Sequence, residues 1–425
     1  MTFLANQELR NIDIEKHTVE KENHKKKLIV VLGMHRSGTS ALTRGLQALD
    51  VELGESLFGA IPENNAKGFW EDIEINTLNN DILIFLGHNW HSTSSISEPD
   101  FYNESLAPFK ARAIELLCTK MESANTFGIK DPRIARLLPF WKPIFEKLDI
   151  DVSYVIALRN PLSVASSLHK RDGFELEKSS YLWLGHMVPS LLDSEGRPRI
   201  VVDYDRLMAH PKDQLRRIAS ALNLPFSEES SATKEYCCDF LADELRHATF
   251  HYNDLKTVSG IPRDLVSAYN FLEKFSADEL PVNTPEVRDE FLKINQRMIE
   301  LQPAFTCLDK YSNTISALNQ ITSERDTQIT SLTQQLEEKQ HQFITVNQQL
   351  QEERQQVISL SQKLEEMQYK ISSLDRHLQE KQFQLDTQSR KLQEKQDQVD
   401  AMLSSSSWKF TAPFREAAKI IRQAK

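Results

Sequence analysis

From Ile315 to Val399 one apolar stripe returns at every seventh position: Ile315, Thr322, Ile329, Leu336, Phe343, Leu350, Val357, Leu364, Ile371, Leu378, Leu385, Leu392 and Val399, with Thr322 its one polar member. Neither glycine nor proline interrupts the chain between Ser312 and Ser404. A strict seven-residue repeat keeps its seam on one side only if the helix supercoils around a partner. The companion d positions are mixed. Leu318, Leu332, Val346, Leu360, Met367, Leu374 and Met402 are apolar, whereas Arg325, Lys339, Glu353, Lys381, Gln388 and Lys395 are polar, a pattern that trades stability for register. A solvated single helix has no reason to hold one phase over this length. Residues 312–404 are therefore expected to form a coiled coil, a rod on the order of 130–140 Å that joins copies of the chain into a homo-oligomer.

The rest of the chain must be a different kind of object, because all twelve glycines lie between Gly33 and Gly260. The run Leu28–Leu32 reads as a strand buried on both faces and stops at Gly33. From Thr39 the spacing of Leu42, Leu46 and Leu49 predicts a helix ending near Asp50. Strands are expected at Thr126–Ile129, Val152–Leu158 and Ile200–Val202, each followed by a helical segment (Ile134–Leu148, Leu162–His169, Tyr204–Leu222). Such alternation predicts an α/β fold, a P-loop-like three-layer domain with a central parallel sheet whose ligands bind at the strands' carboxyl ends. The expected division is a polar leader at 1–26, one globular domain at 27–311, the coiled coil at 312–404 and a tail at 405–425. No function is legible in residues 230–311.

Several partners are disfavoured. With 51 basic against 61 acidic side chains and a net charge of −10, and with no basic, aromatic-laced stripe, the chain is not expected to bind nucleic acid. No apolar run approaches the ~18–20 residues of a membrane span. The charged leader is neither a signal peptide nor a transit sequence, so the cytoplasm is the expected compartment. Cys118, Cys237, Cys238 and Cys307 are expected to be reduced and mostly buried, and no ligand spacing suggests a metal site. The tail, with Trp408, Phe410 and Phe414 beside Lys409, Arg415, Lys419 and Arg422, suits either an anionic membrane surface at the inner face or a protein partner.

The chemistry concentrates in Gly33-Met-His-Arg-Ser-Gly-Thr-Ser40, between the first strand and the first helix. A glycine loop there lets backbone N–H groups and the positive helix end surround an anion. A nucleoside-triphosphatase loop would carry lysine where Thr39 stands; here the cation is Arg36, inside the loop. Kinase chemistry is thus the minority reading.

This loop resembles the 5′-phosphosulfate loop of sulfotransferases that use 3′-phosphoadenosine 5′-phosphosulfate (PAPS). Leu158-Arg-Asn-Pro-Leu-Ser-Val-Ala-Ser-Ser167 is similar to the same family's 3′-phosphate motif. Gly128-Ile-Lys-Asp-Pro-Arg133, Lys67-Gly-Phe-Trp-Glu-Asp72 and Val202-Asp-Tyr-Asp-Arg-Leu207 resemble further family segments, so that the likeness spans residues 27–225. It implies that Gly33, Arg36, Ser37, Gly38, Thr39 and Ser40 hold the phosphosulfate, that Arg159 and Ser167 hold the 3′-phosphate, and that PAPS is the co-substrate with no metal. By motif position Arg36 and Lys130 are the catalytic cations. Arginine in place of the cytosolic group's lysine permits charge stabilisation but not ready proton donation.

The base is Glu71 by the same likeness, with apolar Phe69 and Trp70 expected to favour its protonation. Its bland reading is a carboxylate at a helix start. Asp72, His88, His91 and His35 remain rivals, and Asp131 is expected to be a helix cap or the partner of Lys130. The tail after a coiled coil looks like those of bacterial polysaccharide-biosynthesis proteins, which implies a carbohydrate or surface-glycan acceptor. A coiled-coil scaffold that binds nucleotide without turnover is the other functional class.

Overall fold

The computed structural model describes residues 25–60, 67–241 and 250–423, so most of the expected leader lies outside the described residues. The chain divides into two compact units, one reaching Ala317 and the other beginning at Leu318.

The first unit is built on four parallel strands, β1 (Lys27–Gly33), β2 (Thr126–Lys130), β3 (Asp151–Leu158) and β4 (Arg199–Asp203), in the order β2-β1-β3-β4. The alternation of side chains along each strand creates two apolar layers. Leu28, Val30 and Leu32 of β1 join Phe127, Ile129, Tyr154 and Ile156 on one face. That face is covered by α2 (Ile73–Phe85), α3 (Ala107–Lys120), α4 (Ile134–Lys147), α5 (Pro161–Asp172) and α6 (Leu176–Leu192). Ile29 and Val31 join Val155, Ala157 and Val202 on the other, beneath α1 (Thr39–Gln47), α7 (Tyr204–Ala209) and α8 (Pro211–Leu222). The result is the expected P-loop-like α/β domain, helix, sheet and helix.

Two local expectations are corrected. The segment Tyr204–Leu222 is not one helix. It breaks at His210, φ −137°, because the proline that follows excludes the helical region for its predecessor. Nor are the cysteines mostly buried: Cys118, Cys238 and Cys307 are exposed and Cys237 is half-buried, all four as free thiols. For Cys307 the reason is angular. Phe305, two residues earlier on the same helix, is buried, and two residues turn the helix by about 200°.

One helix runs without interruption from Gln302 to Ser404. In the second unit the heptad residues Ile329, Leu336, Leu350, Leu364, Ile371 and Leu385 all stand exposed. The segment beyond it forms two short helices, Ser406–Phe410 and Ala412–Gln423. Among the described residues no helix is long and apolar enough to cross a membrane.

Candidate active site

All the expected site residues of the first unit gather at the carboxyl edge of the sheet. The chain leaves β1 toward β2 on one side and returns past it to β3 on the other, so the loops after β1 and β3 open a crevice between them.

The loop after β1 is shaped by close backbone approach. Gly33 has φ 139°, and a Cβ there would lie 2.8 Å from the Ala157 carbonyl oxygen. Gly38 has φ 80°, and a Cβ there would overlap the Tyr204 ring, 2.8 Å from its Cγ. Arg36 itself holds φ 68°, a left-handed conformation rare for a side-chain-bearing residue and found where function requires it. Gly38 is the N-cap of α1 and has no side chain to cap it, so the positive end of that helix faces the loop without a capping side chain of its own.

Arg36 turns back over α5, where its Nε donates to Ser167 Oγ at 2.7 Å. Arg159 donates from Nη1 to the Arg36 carbonyl at 2.9 Å and stacks its guanidinium 4.7 Å over the Tyr204 ring. Burial, helped by Arg171 and Arg159, lowers the pKa of Arg36; burial likewise lowers that of Arg159. A guanidinium starts from so high a value that both side chains are treated as cations. Ser37 Oγ, Arg159 Nε and His35 Nε2 are buried without hydrogen-bond partners. Orphaned polar atoms around one loop fit a site built for a polar ligand.

Lys130, at the end of β2, is buried and donates to Glu71 Oε1 at 2.6 Å, to the Phe69 carbonyl at 2.8 Å and to Ser40 Oγ at 3.2 Å. These use all three ammonium protons. Glu71 Oε2 accepts from Asn76 Nδ2 at 2.7 Å, with Arg133 Nη1 4.0 Å away. The surroundings of Glu71 are therefore a cation and an amide rather than the apolar rings expected: Phe69 contributes its carbonyl, and the Trp70 ring packs against Phe240 and Arg44.

Its neighbour Asp72 does something different. It is the N-cap of α2, accepting from the backbone N–H of Glu74 and Ile75, and it pairs with Lys120 at 2.7 Å. Asp131 is not the partner of Lys130. One of its oxygens accepts from Asn79 and the other holds Arg133 through its backbone N–H and its guanidinium, all at 2.9–3.0 Å.

The histidines split. His88 Nδ1 lies 3.3 Å from Ser94 Oγ, and burial lowers its pKa to about 4; His91 Nδ1 lies 3.4 Å from Lys178 Nζ and its pKa is also lowered, chiefly by burial. His35 stays neutral because of burial, reinforced by Arg133, with its ring 4.7 Å from Trp90 and 5.9 Å from His186. Sequence reasoning missed Asn76, Arg133 and Tyr204 as site residues. Arg133 and Tyr204 fall within the segments quoted above, but no spacing rule marks them.

Residues 29–228 match the family model described as "Sulfotransferase family". Among solved structures the chain is similar to the sulfotransferase domain from the curacin biosynthetic pathway, with 16% identity, 64% of this chain and 97% of that one covered, and a TM-score of 0.33. It is also similar to the sulfotransferase domain of the Synechococcus PCC 7002 olefin synthase, with 15% identity, 66% and 98% covered, and a TM-score of 0.31. A third similar structure is retinol dehydratase in complex with androsterone and inactive cofactor PAP, with 13% identity, 64% and 80% covered, and a TM-score of 0.25. No curated protein matches the chain significantly.

Proposed function

We propose that this chain, whose residues 29–228 match the sulfotransferase family model, moves the sulfuryl group of PAPS to a hydroxyl of a carbohydrate or surface glycan. The observation that carries the reading is the meeting of Arg36, Arg159 and Ser167 at the crevice between β1 and β3, with buried Lys130 on the next strand. Two guanidinium groups, an ammonium and the positive end of a helix make a site for a multiply charged anion.

Arg36, Ser37, Gly38, Thr39 and Ser40, with Gly33 setting the turn, would hold the phosphosulfate end, and Arg159 with Ser167 the 3′-phosphate. Bound PAPS supplies an activated sulfuryl group, and catalysis then consists mainly of positioning and charge stabilisation. Arg36 places a permanent cation at the anionic end. Lys130 has no spare proton, so it engages a new oxygen by releasing one acceptor, and Ser40 Oγ at 3.2 Å is the weakest of the three. As the acceptor oxygen bonds to sulfur and PAP departs, Glu71 takes the hydroxyl proton on the second lone pair of Oε1 beside Lys130, while Asn76 holds Oε2 in place.

The coiled coil supports a homo-oligomer. Its apolar stripe stands exposed in a single chain and is buried when like helices pair. The tail supports a peripheral position at the cytoplasmic membrane face, because Phe410, Phe414, Ile420 and Ile421 are exposed beside basic residues. A membrane position in turn suits a lipid-linked or exported saccharide.

The test is transfer of label from PAPS to a panel of saccharides, run beside calorimetric binding of 3′-phosphoadenosine 5′-phosphate (PAP). Transfer to a glycan hydroxyl supports the proposal, and transfer only to peptides or small alcohols moves the acceptor class. Tight PAP binding with no transfer to any acceptor favours the scaffold reading.

A further inference from the structure

The segment from His88 to Ser95, after α2, lacks helix and strand and is held from outside itself. Asp309, on the second turn of the long helix, accepts four hydrogen bonds from it. Oδ1 takes Thr93 N at 2.8 Å and Thr93 Oγ1 at 2.9 Å; Oδ2 takes Ser94 N at 2.8 Å and Ser94 Oγ at 2.5 Å. Gln302 adds a reciprocal amide pair with the Ser95 backbone, at 2.8 and 2.7 Å. From below, buried Arg136 donates to the Asn89 and Ser94 carbonyls. Burial opposes ionisation of Asp309, but the hydrogen bonds from Ser94 and Thr93 outweigh it and hold the carboxyl below its ordinary pKa.

Toward the loop after β1 this segment presents Trp90. Its ring lies 4.7 Å from His35, the residue before Arg36, and the Arg171 guanidinium lies 4.9 Å from it. A path therefore runs from Asp309 to Thr93 and Ser94, along the backbone of the segment to Trp90, and from the Trp90 ring to His35 in the anion-binding loop. We propose that Asp309 is a positioning residue for residues 33–40, acting through the 88–95 segment, so that the helix bearing the heptads also sets the loop that receives nucleotide.

A capping carboxylate that merely stabilises its own neighbourhood would leave residues 33–40 unaffected. The nucleotide role of that loop rests on the function proposed above, so the first measurement uses no ligand. Amide hydrogen exchange is followed in the full-length chain for wild type, Asp309→Asn, Ser94→Ala and, as a core-destabilising control, Val287→Ala. Asp309→Asn keeps the shape but turns one acceptor into a donor facing donors. Both segment variants should raise exchange in 33–40 by about fivefold or more, as local opening spreads along the path. Val287→Ala should leave it unchanged. Faster exchange confined to 88–95, or an equal rise in 33–40 with Val287→Ala, overturns the proposal.

PAP titration of the same proteins is the second measurement. Weaker binding in Asp309→Asn and Ser94→Ala by about tenfold, with the control like wild type, is the expected result. A wild-type chain that ignores PAP removes the nucleotide reading, while the exchange data still decide whether Asp309 sets the loop.

Discussion

Arg36 Nε and Ser167 Oγ, 131 residues apart in the chain, are joined by a 2.7 Å hydrogen bond that ties the loop after β1 to the helix after β3. The Arg159 Nη1 bond to the Arg36 carbonyl, 2.9 Å, ties the same two segments a second time. Through the first bond, the guanidinium assigned to the phosphosulfate and the hydroxyl assigned to the 3′-phosphate belong to one polar cluster.

Arg36→Ala is expected to lower turnover by about 100-fold or more, the usual scale for losing one preorganised stabiliser of developing charge. Stability should change little, since alanine keeps the same Cβ at φ 68° and only the part-buried bond to Ser167 is lost. Steady-state rates with labelled PAPS, read beside thermal melts, check this, and a wild-type rate would remove Arg36 from the chemistry.

Gly38→Ala should destabilise the domain by about 1–3 kcal/mol, because the new Cβ meets the Tyr204 ring and the backbone is left-handed. Nucleotide binding should fall with it. Combining it with Tyr204→Leu relieves the clash but not the backbone strain, so denaturant titration should show partial recovery only.

Glu71 and Asp72 are adjacent yet should respond oppositely. Asp72→Asn weakens a helix cap and an ion pair, an expected loss of about 1 kcal/mol with turnover largely kept. Glu71→Gln should abolish most turnover, with PAP affinity near wild type. If Asp72→Asn proved the slower enzyme at equal stability, the base assignment would pass to Asp72.

His186 carries a pH prediction. Burial first, then the nearby Arg136, lowers its pKa to about 3 in the folded chain. An unfolded histidine titrates near ~6.5, so between those values the unfolded chain binds the extra proton. The neutral ring's contribution is complete above that upper value and is lost progressively as pH falls toward 3. From pH 7 to pH 5 the loss amounts to about 2 kcal/mol. His186→Gln should flatten the stability profile over that interval by a comparable amount, measured as urea midpoints at several pH values. Parallel profiles would show that the ring accepts a proton in place.

Most of the strands and the heptad phase could be read directly because each is a local periodicity. Alternation in Leu28–Leu32 creates two buried faces, and a seven-residue repeat creates one helical stripe, whatever surrounds them. The break at His210 was equally local, but the weak apolar period across it masked the effect of Pro211. The cysteine expectation failed because residue type predicts burial only on average, whereas helix angle placed Cys307 outward.

Which carboxylate does what was a different kind of question. Glu71, Asp72 and Asp131 are all acidic residues beside expected strand or helix ends, and local spacing treats them alike. Only the folded chain brings Glu71 to Lys130 across 59 residues, gives Asp72 to the start of α2 and turns Asp131 toward Asn79 and Arg133. The same holds for Asp309, which reaches Ser94 across 215 residues. By itself the sequence determined the strand, loop and helix that open the domain and the seam of the long helix, because backbone dihedrals and side-chain period are set by near neighbours. Tertiary structure alone decided the charge partners, because a short-range bond between distant residues exists only once packing has brought their strands and loops into register.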